Sequence, residues 1–470
     1  MVNRIRFGTD GWRAIIAREF TFAHVAAVAQ GIADTVRERG TAERGVIVGY
    51  DPRFLSEQFA AEVAAVMAGN GIRSWVSDRD TPTPVLAHAV LTHQAAGAVI
   101  LTASHNPPIY HGIKFVPEYA SPAFPDVTDR IEVHTAEALG DATRIKRDES
   151  GRLVEAFDPR PAYLAKLAEE MDFEAIRSAK LKVKVDCLHG AARGYLDAAL
   201  EQAGCEVEAF RTDRNPLFGG DMPDPSADRL KPLAERVVAE GAHLGLAADG
   251  DGDRFGIVDS SGAFLSPNQV IPLVLWHVQR TRFPVGSVAR TVATTHMVDA
   301  LADHLGMGVQ ETPVGFKYIG RALRETDAIV GGEESGGLGM RGHVPEKDGI
   351  LAGLLVAEMV AKTGQSPLQT FHQLQREVGV FLSKRLDIHV ADPAALMQRI
   401  IGAPPSRLAG SQVVNTVRLD GLKLIASDGR WMLLRPSGTE PLVRVYIEAH
   451  TREYLAAMET EALKLVQAGQ

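Results

Sequence analysis

Between Thr21 and Arg39 the apolar residues Val25, Val28, Ala29, Ile32, Ala33 and Val36 recur at the spacing of one helix face, with Thr21 as the N-cap. The run Val46-Ile47-Val48 predicts a strand ending at Asp51-Pro52. Phe59, Val63, Val66 and Met67 predict a second helix, closed by Gly69 and Gly71 before another strand near Ile72. Strand and helix alternate, as in an α/β layer. The pattern restarts at 181–186, where a strand meets Gly190, and again at 287–292, where a strand leads into a helix over about 297–305. After about 375 it changes: strands near 380–390, 413–417, 422–425, 431–434 and 443–448 surround a helix near 393–401, and a last helix starts at about 453. The prediction is three consecutive α/β domains with similar mixed sheets, over 1–150, 151–258 and 259–375, then an α+β domain over 376–470. The stretch 117–160 is too irregular to divide.

Composition agrees with this multidomain reading. At 470 residues, 45% hydrophobic and 23% charged, the chain has ample apolar material for several cores and reads as a folded, water-soluble protein. The start lacks the apolar run of a secretory signal, and the longest apolar stretch, around 350–361, is too short to span a bilayer and reads as a buried helix. Cys187 and Cys205 give neither a disulfide framework nor metal-ligand spacing, as expected in a reducing cytoplasm. A net charge of −9 opposes attraction of nucleic acid or an anionic membrane. An anionic substrate would need a local concentration of Lys and Arg.

Four polar clusters stand where an apolar strand stops, at the edge where α/β sheets hold ligands. The first is Thr102-Ala103-Ser104-His105-Asn106-Pro107. Ser104 lacks the flanking glycines of a nucleophile elbow, so an acyl-transfer serine is disfavoured, and a plain turn is the competing reading. The second is Asp249-Gly250-Asp251-Gly252-Asp253-Arg254: carboxylates at alternate positions on a glycine-rich backbone converge on a hard cation. Arg254 and Ser260 stand where a calcium EF-hand requires Gly and Glu, so the pattern suits Mg²⁺ with coordination sites left open for phosphate. The third, Gly332-Glu333-Glu334-Ser335-Gly336, can hydrogen-bond sugar hydroxyls. A dinucleotide fingerprint formally present at 337–342 is rejected because no helix-like stretch follows it before Pro345. In the fourth cluster, Arg435-Pro436-Ser437-Gly438-Thr439-Glu440 with Arg444 beyond, a guanidinium, hydroxyls and backbone amides make a phosphate cradle. A serine, a metal loop and a separate cradle together point to phosphoryl transfer.

These motifs, in order and spacing, resemble the α-D-phosphohexomutase family over nearly the whole chain, and within it the phosphoglucomutase branch. The resemblance implies domains arranged around a central cleft and a phosphohexomutase exchanging hexose 1-phosphate and hexose 6-phosphate, with glucose as the expected sugar. It also implies Mg²⁺ as cofactor and a hexose 1,6-bisphosphate as activator and intermediate. Residue by residue, it makes Ser104 the phosphoryl carrier and a metal ligand beside Asp249, Asp251 and Asp253, with Arg254 next to them. Arg13 in the opening motif Phe7-Gly8-Thr9-Asp10-Gly11-Trp12-Arg13, His105 and Lys114 are the expected catalytic neighbours, with Lys114 assisting proton transfer. Glu333 and Ser335 are the expected sugar contacts. Thr312, Gly315 and Lys317 form a further substrate loop, and Arg435, Ser437, Gly438 and Thr439 hold phosphate, with Arg444 nearby. His343 and Lys347 match the phosphoglucomutase branch. Gly337 stands where some phosphomannomutase-type members carry a histidine, which makes His343 or Lys114 the expected base, and His111 stands where asparagine is frequent.

The other readings are a phosphomannomutase or dual-specificity mutase, a magnesium-dependent sugar phosphatase, and a non-catalytic sugar-phosphate-binding protein. A phosphatase releases phosphate, whereas a mutase conserves it. A simple binder needs the cradle but neither the aspartate loop nor Ser104. The expected partner is a small sugar phosphate, with no nucleic acid and no membrane, and the oligomeric state is left open.

Overall fold

Three of the four sheets repeat one plan in the computed structural model, which describes residues 5–437 and 441–467. In the first, Val46–Tyr50 lies at the centre, parallel to Ser74–Ser77 on one side and Gly97–Leu101 on the other, and Tyr110–Pro117 then runs back antiparallel beside Gly97–Leu101. In the second, Lys182–Asp186 is flanked by Glu206–Phe210 and Leu244–Ala248, and Phe255–Asp259 returns antiparallel. In the third, Ser287–Thr291 is flanked by Gly308–Thr312 and Ala328–Gly332, and Leu338–Met340 returns antiparallel. In each unit the loop leading to the returning strand leaves the carboxyl end of a parallel strand. The serine, aspartate and glutamate clusters occupy that same loop in successive units.

The fourth sheet is antiparallel throughout, in the order Leu382–His389, Leu442–Ala449, Trp431–Pro436, Leu422–Ala426, Ser411–Val417, Arg407–Leu408. Alternation along its strands sorts side chains to two faces. Met432, Leu434, Val443, Val445 and Ile447 pack under the helices Pro393–Gly402 and Arg452–Gln467, whereas Trp431, Leu433 and Tyr446 pack against Val292 and Ala293 of the third unit.

The helix Phe22–Glu38 begins where expected, with Thr21 Oγ1 accepting from the His24 amide. The apolar stretch near 350 forms Gly349–Thr363, buried from Gly349 to Val360 in the core shared by the second and third units. Asp348 caps it, one carboxylate oxygen accepting from Ile350 and Leu351 at 2.9 Å each. Among the described residues no helix is long and apolar enough to cross a membrane. Both cysteines are free and buried.

The undivided stretch 117–160 contains a helix, Pro125–Gly140, whose Val127, Ile131, Thr135 and Ala138 face the Phe22–Glu38 helix. Two of those four facing positions are Thr and Ala, which blurs the apolar period. The strand Val154–Phe157 then adds to the first sheet beside Ser74–Ser77, so that unit runs past the expected limit at 150. Likewise Phe264–Leu265 extends the second sheet past 258, and the helix Pro367–Val378 crosses the expected limit at 375.

The third and fourth units meet around a buried cation. Lys423 Nζ donates to Val292 O (2.8 Å), His296 Nε2 (2.8 Å) and Glu311 Oε1 (3.2 Å), and lies 4.2 Å from the centre of the Trp431 ring. Burial lowers its pKa to about 8. Glu448 accepts from the His296 amide and from Trp431 Nε1 at 2.9 and 2.7 Å. Lys423→Ala leaves these buried acceptors unmatched and is expected to destabilise the protein by about 2 kcal/mol. A fall in Tm and faster proteolysis between the third and fourth units would show this; an unchanged Tm would contradict it.

Candidate active site

Ser104 leaves the Gly97–Leu101 strand with a left-handed backbone, φ +50°. Its Oγ donates to Asp249 Oδ2 at 2.7 Å and lies 3.3 Å from His105 Nδ1. Burial, with Arg254 and Arg13 nearby, holds the His105 pKa well below its ordinary value, so its imidazole is neutral. Arg13 Nη1 donates to Asn106 Oδ1 at 2.6 Å, which places Arg13 on the serine loop. His111 stacks on Phe20 and pairs with Ser56 Oγ at 2.9 Å, a packing position within the first unit.

The aspartate loop meets the serine loop face to face. A Cβ at Gly250 would lie 2.6 Å from the Ser104 carbonyl oxygen, so only glycine permits the approach. Asp249 Oδ1 accepts from the amides of Asp253 and Arg254 at 2.9 and 3.0 Å, curling the loop. One ligand oxygen from each of Asp249, Asp251 and Asp253 falls within 4.8 Å of the others, and all three residues are buried. Oδ1 of Asp251 and Oδ1 of Asp253 have no hydrogen-bond partner. Buried carboxylate oxygens with no partner are costly unless a cation takes them, and a set of hard oxygen donors fits a divalent ion. Burial, then Asp253 and Asp251, push the Asp249 carboxyl well above its usual range, a repulsion that a bound cation relieves.

Two lysines border the same carboxylates. Lys114 Nζ stands 2.8 Å from each of Asp10, Asp251 and Asp253. Lys347 Nζ stands 3.0 Å from Asp10 and 2.9 Å from Asp253. Burial opposes the charge on Lys114, but its three carboxylates outweigh that and hold its pKa up, so it sits there as an ammonium. Asp10 has no role in the opening motif as the sequence presents it, where Arg13 is the expected catalytic neighbour. The available signal was a balance of charge, because two buried lysines require a carboxylate between them.

In the third unit Glu333 Oε1 accepts from the Gly315 amide at 2.8 Å, joining the sugar loop to the loop of Thr312, Gly315 and Lys317. Burial and the neighbouring Glu334 raise Glu333 to about 7, so at neutral pH it can both donate and accept. Ser335 is half-buried on the same loop. Lys317 makes no hydrogen bond or ion pair among the described residues, and partial burial lowers its pKa. Arg254 bridges to Gly337 across the second and third units. A Cβ at Gly337 would fall 3.0 Å from Lys347 Cδ and 3.3 Å from Glu333 Oε2. The lysine stem and the missing side chain thus share one space.

From the fourth unit Arg435 pairs with Asp420 at 2.9 Å, and Asp420 also accepts from the Val314 amide at 3.0 Å, tying the cradle to the third unit's substrate loop. Arg435 and Arg444 stand opposite each other on neighbouring strands, so two guanidinium groups share one end of the sheet. Ser437 is held by its amide donating to Leu442 O. Gly438 and Thr439 lie outside the described residues.

His343 requires a correction. Its Nδ1 and Nε2 donate to Glu170 Oε2 (2.6 Å) and Asp348 Oδ2 (2.9 Å), which leaves neither nitrogen to act as a base toward a substrate. Burial works against its charge, yet the bonds to Asp348 and Glu170 raise its pKa to about 9. It is a buried cation that supports the turn carrying Lys347.

The folded units and this convergence of serine, carboxylates and cationic groups describe an enzyme of phosphoryl transfer. Sequence comparison defines it further. The alpha/beta/alpha domains I, II and III of the phosphoglucomutase/phosphomannomutase group match residues 4–139, 161–262 and 266–378, and its C-terminal domain matches 390–465. A phosphoglucomutase of Komagataeibacter xylinus is 30% identical, over 99% of this chain and 91% of its own length. A phosphoglucosamine mutase of Mycobacterium marinum is 32% identical, over 98% and 99%. A solved structure described as a putative phosphomannomutase from Thermus thermophilus superposes with a TM-score of 0.87 at 35% identity, covering 99% of this chain and 100% of that one. The chain belongs to the phosphoglucomutase/phosphomannomutase family, mutases that move phosphate within a sugar.

Removing a single ligand oxygen charge with Asp251→Asn is expected to weaken Mg²⁺ binding on the order of 10- to 100-fold. Titration calorimetry measures this, and an unchanged Kd would remove the aspartate loop as the metal site. The His343 contribution gives a second expectation. Its folded pKa, about 9, lies above the ordinary value, so its stabilising effect is complete below about pH 6.5 and fades as pH rises through about 9. Tm should fall across that window, and His343→Gln should flatten this segment of the profile; an identical slope in the variant would refute the assignment.

Proposed function

We propose that this chain interconverts glucose 1-phosphate and glucose 6-phosphate through phospho-Ser104 and a glucose 1,6-bisphosphate. The observation that carries the reading is the 2.7 Å bond from Ser104 Oγ to Asp249, which brings the carrier serine of one unit onto the aspartate loop of the next. Mg²⁺ would be held by Asp249, Asp251, Asp253 and the phosphorylated Ser104, where its charge offsets that on the transferring group. In the first half-reaction a free sugar hydroxyl forms a bond to phosphorus as the Ser104 Oγ–P bond breaks, and the hydroxyl proton leaves to a base. The bisphosphate then turns over and returns its other phosphate to Ser104 Oγ.

Each neighbouring group has a role in that sequence. Arg13 and His105 border the serine, and Lys114 and Lys347 supply ammonium donors at the same point. Glu333 and Ser335 would bind sugar hydroxyls, with Thr312, Gly315 and Lys317 beside them. Arg435, Arg444, Ser437, Gly438 and Thr439 would receive whichever phosphate is not reacting. No net phosphate is released, which separates the reaction from a phosphatase. The partner is a small sugar phosphate, with no nucleic acid or membrane, and the free, buried cysteines suit the cytoplasm.

Glucose is favoured because Lys347 fills the space beside Gly337 where a histidine of the phosphomannomutase type would stand. The description of the Thermus structure favours mannose as the second reading.

Turnover of glucose 1-phosphate, mannose 1-phosphate and glucosamine 1-phosphate, with and without bisphosphate activator, decides between them. The highest kcat/KM is expected on glucose 1-phosphate, and a higher value on mannose 1-phosphate would overturn the sugar assignment. Ser104→Ala should abolish nearly all turnover and lose the phosphoryl mass seen on the wild-type protein; full activity would end the phosphoserine mechanism. Arg435→Ala should raise KM and lower kcat, and Arg435→Lys should recover activity only in part, because an ammonium lacks the planar two-point grip. Wild-type kinetics in Arg435→Ala would remove it from the site.

A further inference from the structure

The serine loop is suspended from one buried guanidinium that no sequence motif marks. Arg53 follows the strand Val46–Tyr50 and has no solvent exposure. Its Nη2 donates to the carbonyls of Ser104 (2.6 Å) and Asn106 (2.7 Å), and its Nη1 to those of Pro107 (3.0 Å) and Tyr110 (2.9 Å). Nε donates to Asp51 Oδ2 at 3.1 Å, which orients the plane. Thr102 links this ion pair to the reacting residue: its Oγ1 donates to Asp51 Oδ2 at 2.6 Å and accepts the Ser104 amide at 2.8 Å. On its other side Arg53 lies 5.0 Å from the centre of the Phe218 ring, which belongs to the second unit.

We propose that Arg53, oriented by Asp51 and coupled through Thr102, is a positioning residue for phosphoryl transfer, holding Ser104 in the conformation that aims Oγ at the aspartate loop. The proposal rests on Ser104 as the phosphoryl carrier. Ser104 is a non-glycine residue at φ +50°, a conformation that costs roughly 1 kcal/mol or more and persists only where the surroundings enforce it. Four carbonyls of one loop pointing at one guanidinium supply that enforcement. Their number also explains why the side chain is arginine: a guanidinium has five N–H donors in one plane, whereas an ammonium has three and cannot span the set. Gly250 packs against the same Ser104 carbonyl, so a shift of the serine loop would also move it against the metal loop. Arg53 bonds backbone and Asp51 only. Its loss should therefore act on the transfer step, not on sugar binding.

The test compares Arg53→Lys, Arg53→Gly and Thr102→Val on whichever hexose 1-phosphate the wild type turns over fastest, with saturating bisphosphate. Mg²⁺ affinity by calorimetry serves as the control for an intact site. Arg53→Lys is expected to lose about 100-fold in kcat, and Thr102→Val about tenfold, with KM within about threefold of wild type. Added guanidinium should restore part of kcat in Arg53→Gly and none in Arg53→Lys. Ser104 phosphorylation by bisphosphate, followed by intact mass, should slow in parallel with kcat. Should the Arg53 variants fail to fold, Thr102→Val, which keeps shape and removes only the hydroxyl link, decides the matter. Wild-type kcat in Thr102→Val or in folded Arg53→Lys, or losses confined to KM, would overturn the proposal. If those variants are normal while Ser104→Ala is dead, only the positioning role fails; if Ser104→Ala is active, the carrier assignment itself fails.

Discussion

A buried ammonium must find carboxylates or give up its charge, and Lys114 finds Asp10, Asp251 and Asp253 at 2.8 Å each. Satisfying that requirement brings together the opening motif, the returning strand of the first unit and the hairpin of the second. Lys347 adds the third unit on the same terms. Three carboxylates against two ammoniums leave one negative charge, before Asp249 is counted, and that excess is what a divalent cation can use. The units are joined by the electrostatic condition that also makes the site chemically competent.

The repetition of the α/β unit explains how so many groups reach one place. Each unit offers the loop before its returning antiparallel strand, and the three loops carry different chemistry: a serine in the first, carboxylates in the second, a glutamate and a serine in the third. The sheets keep nearly the same strand plan while the loops diverge, so labour is divided without changing the scaffold. The fourth unit does not share the plan. It contributes a rim of arginines through a sheet face that packs on the third unit by way of Trp431, Leu433 and Tyr446.

Much of this is legible in the sequence. Apolar period and strand-end polarity located the serine, aspartate, glutamate and arginine clusters, because those loops keep glycines and polar residues directly after buried strands. The groups that the sequence does not mark act through charge compensation or through backbone atoms, neither of which leaves a local pattern. Asp10 is one acid in a motif read for its arginine. Arg53 looks like an ordinary turn residue after Asp51-Pro52, and its meaning is four carbonyls more than fifty positions away. His343 shows the reverse error: a histidine near matching motifs invites a catalytic role, while Glu170, distant in sequence, occupies one of its nitrogens.

The crowding at Gly337 and Lys347 bears on how freely this corner of the site can change. The lysine stem is held at its far end by Asp10 and Asp253, so a side chain added at 337 would have to press it back by a few tenths of an ångström against that anchorage. A larger residue at 337 therefore presses on the group that balances Asp10 and Asp253, and replacing Lys347 to make room strips those carboxylates of a counter-charge. The two positions are coupled, so the residue at one sets the cost of a change at the other.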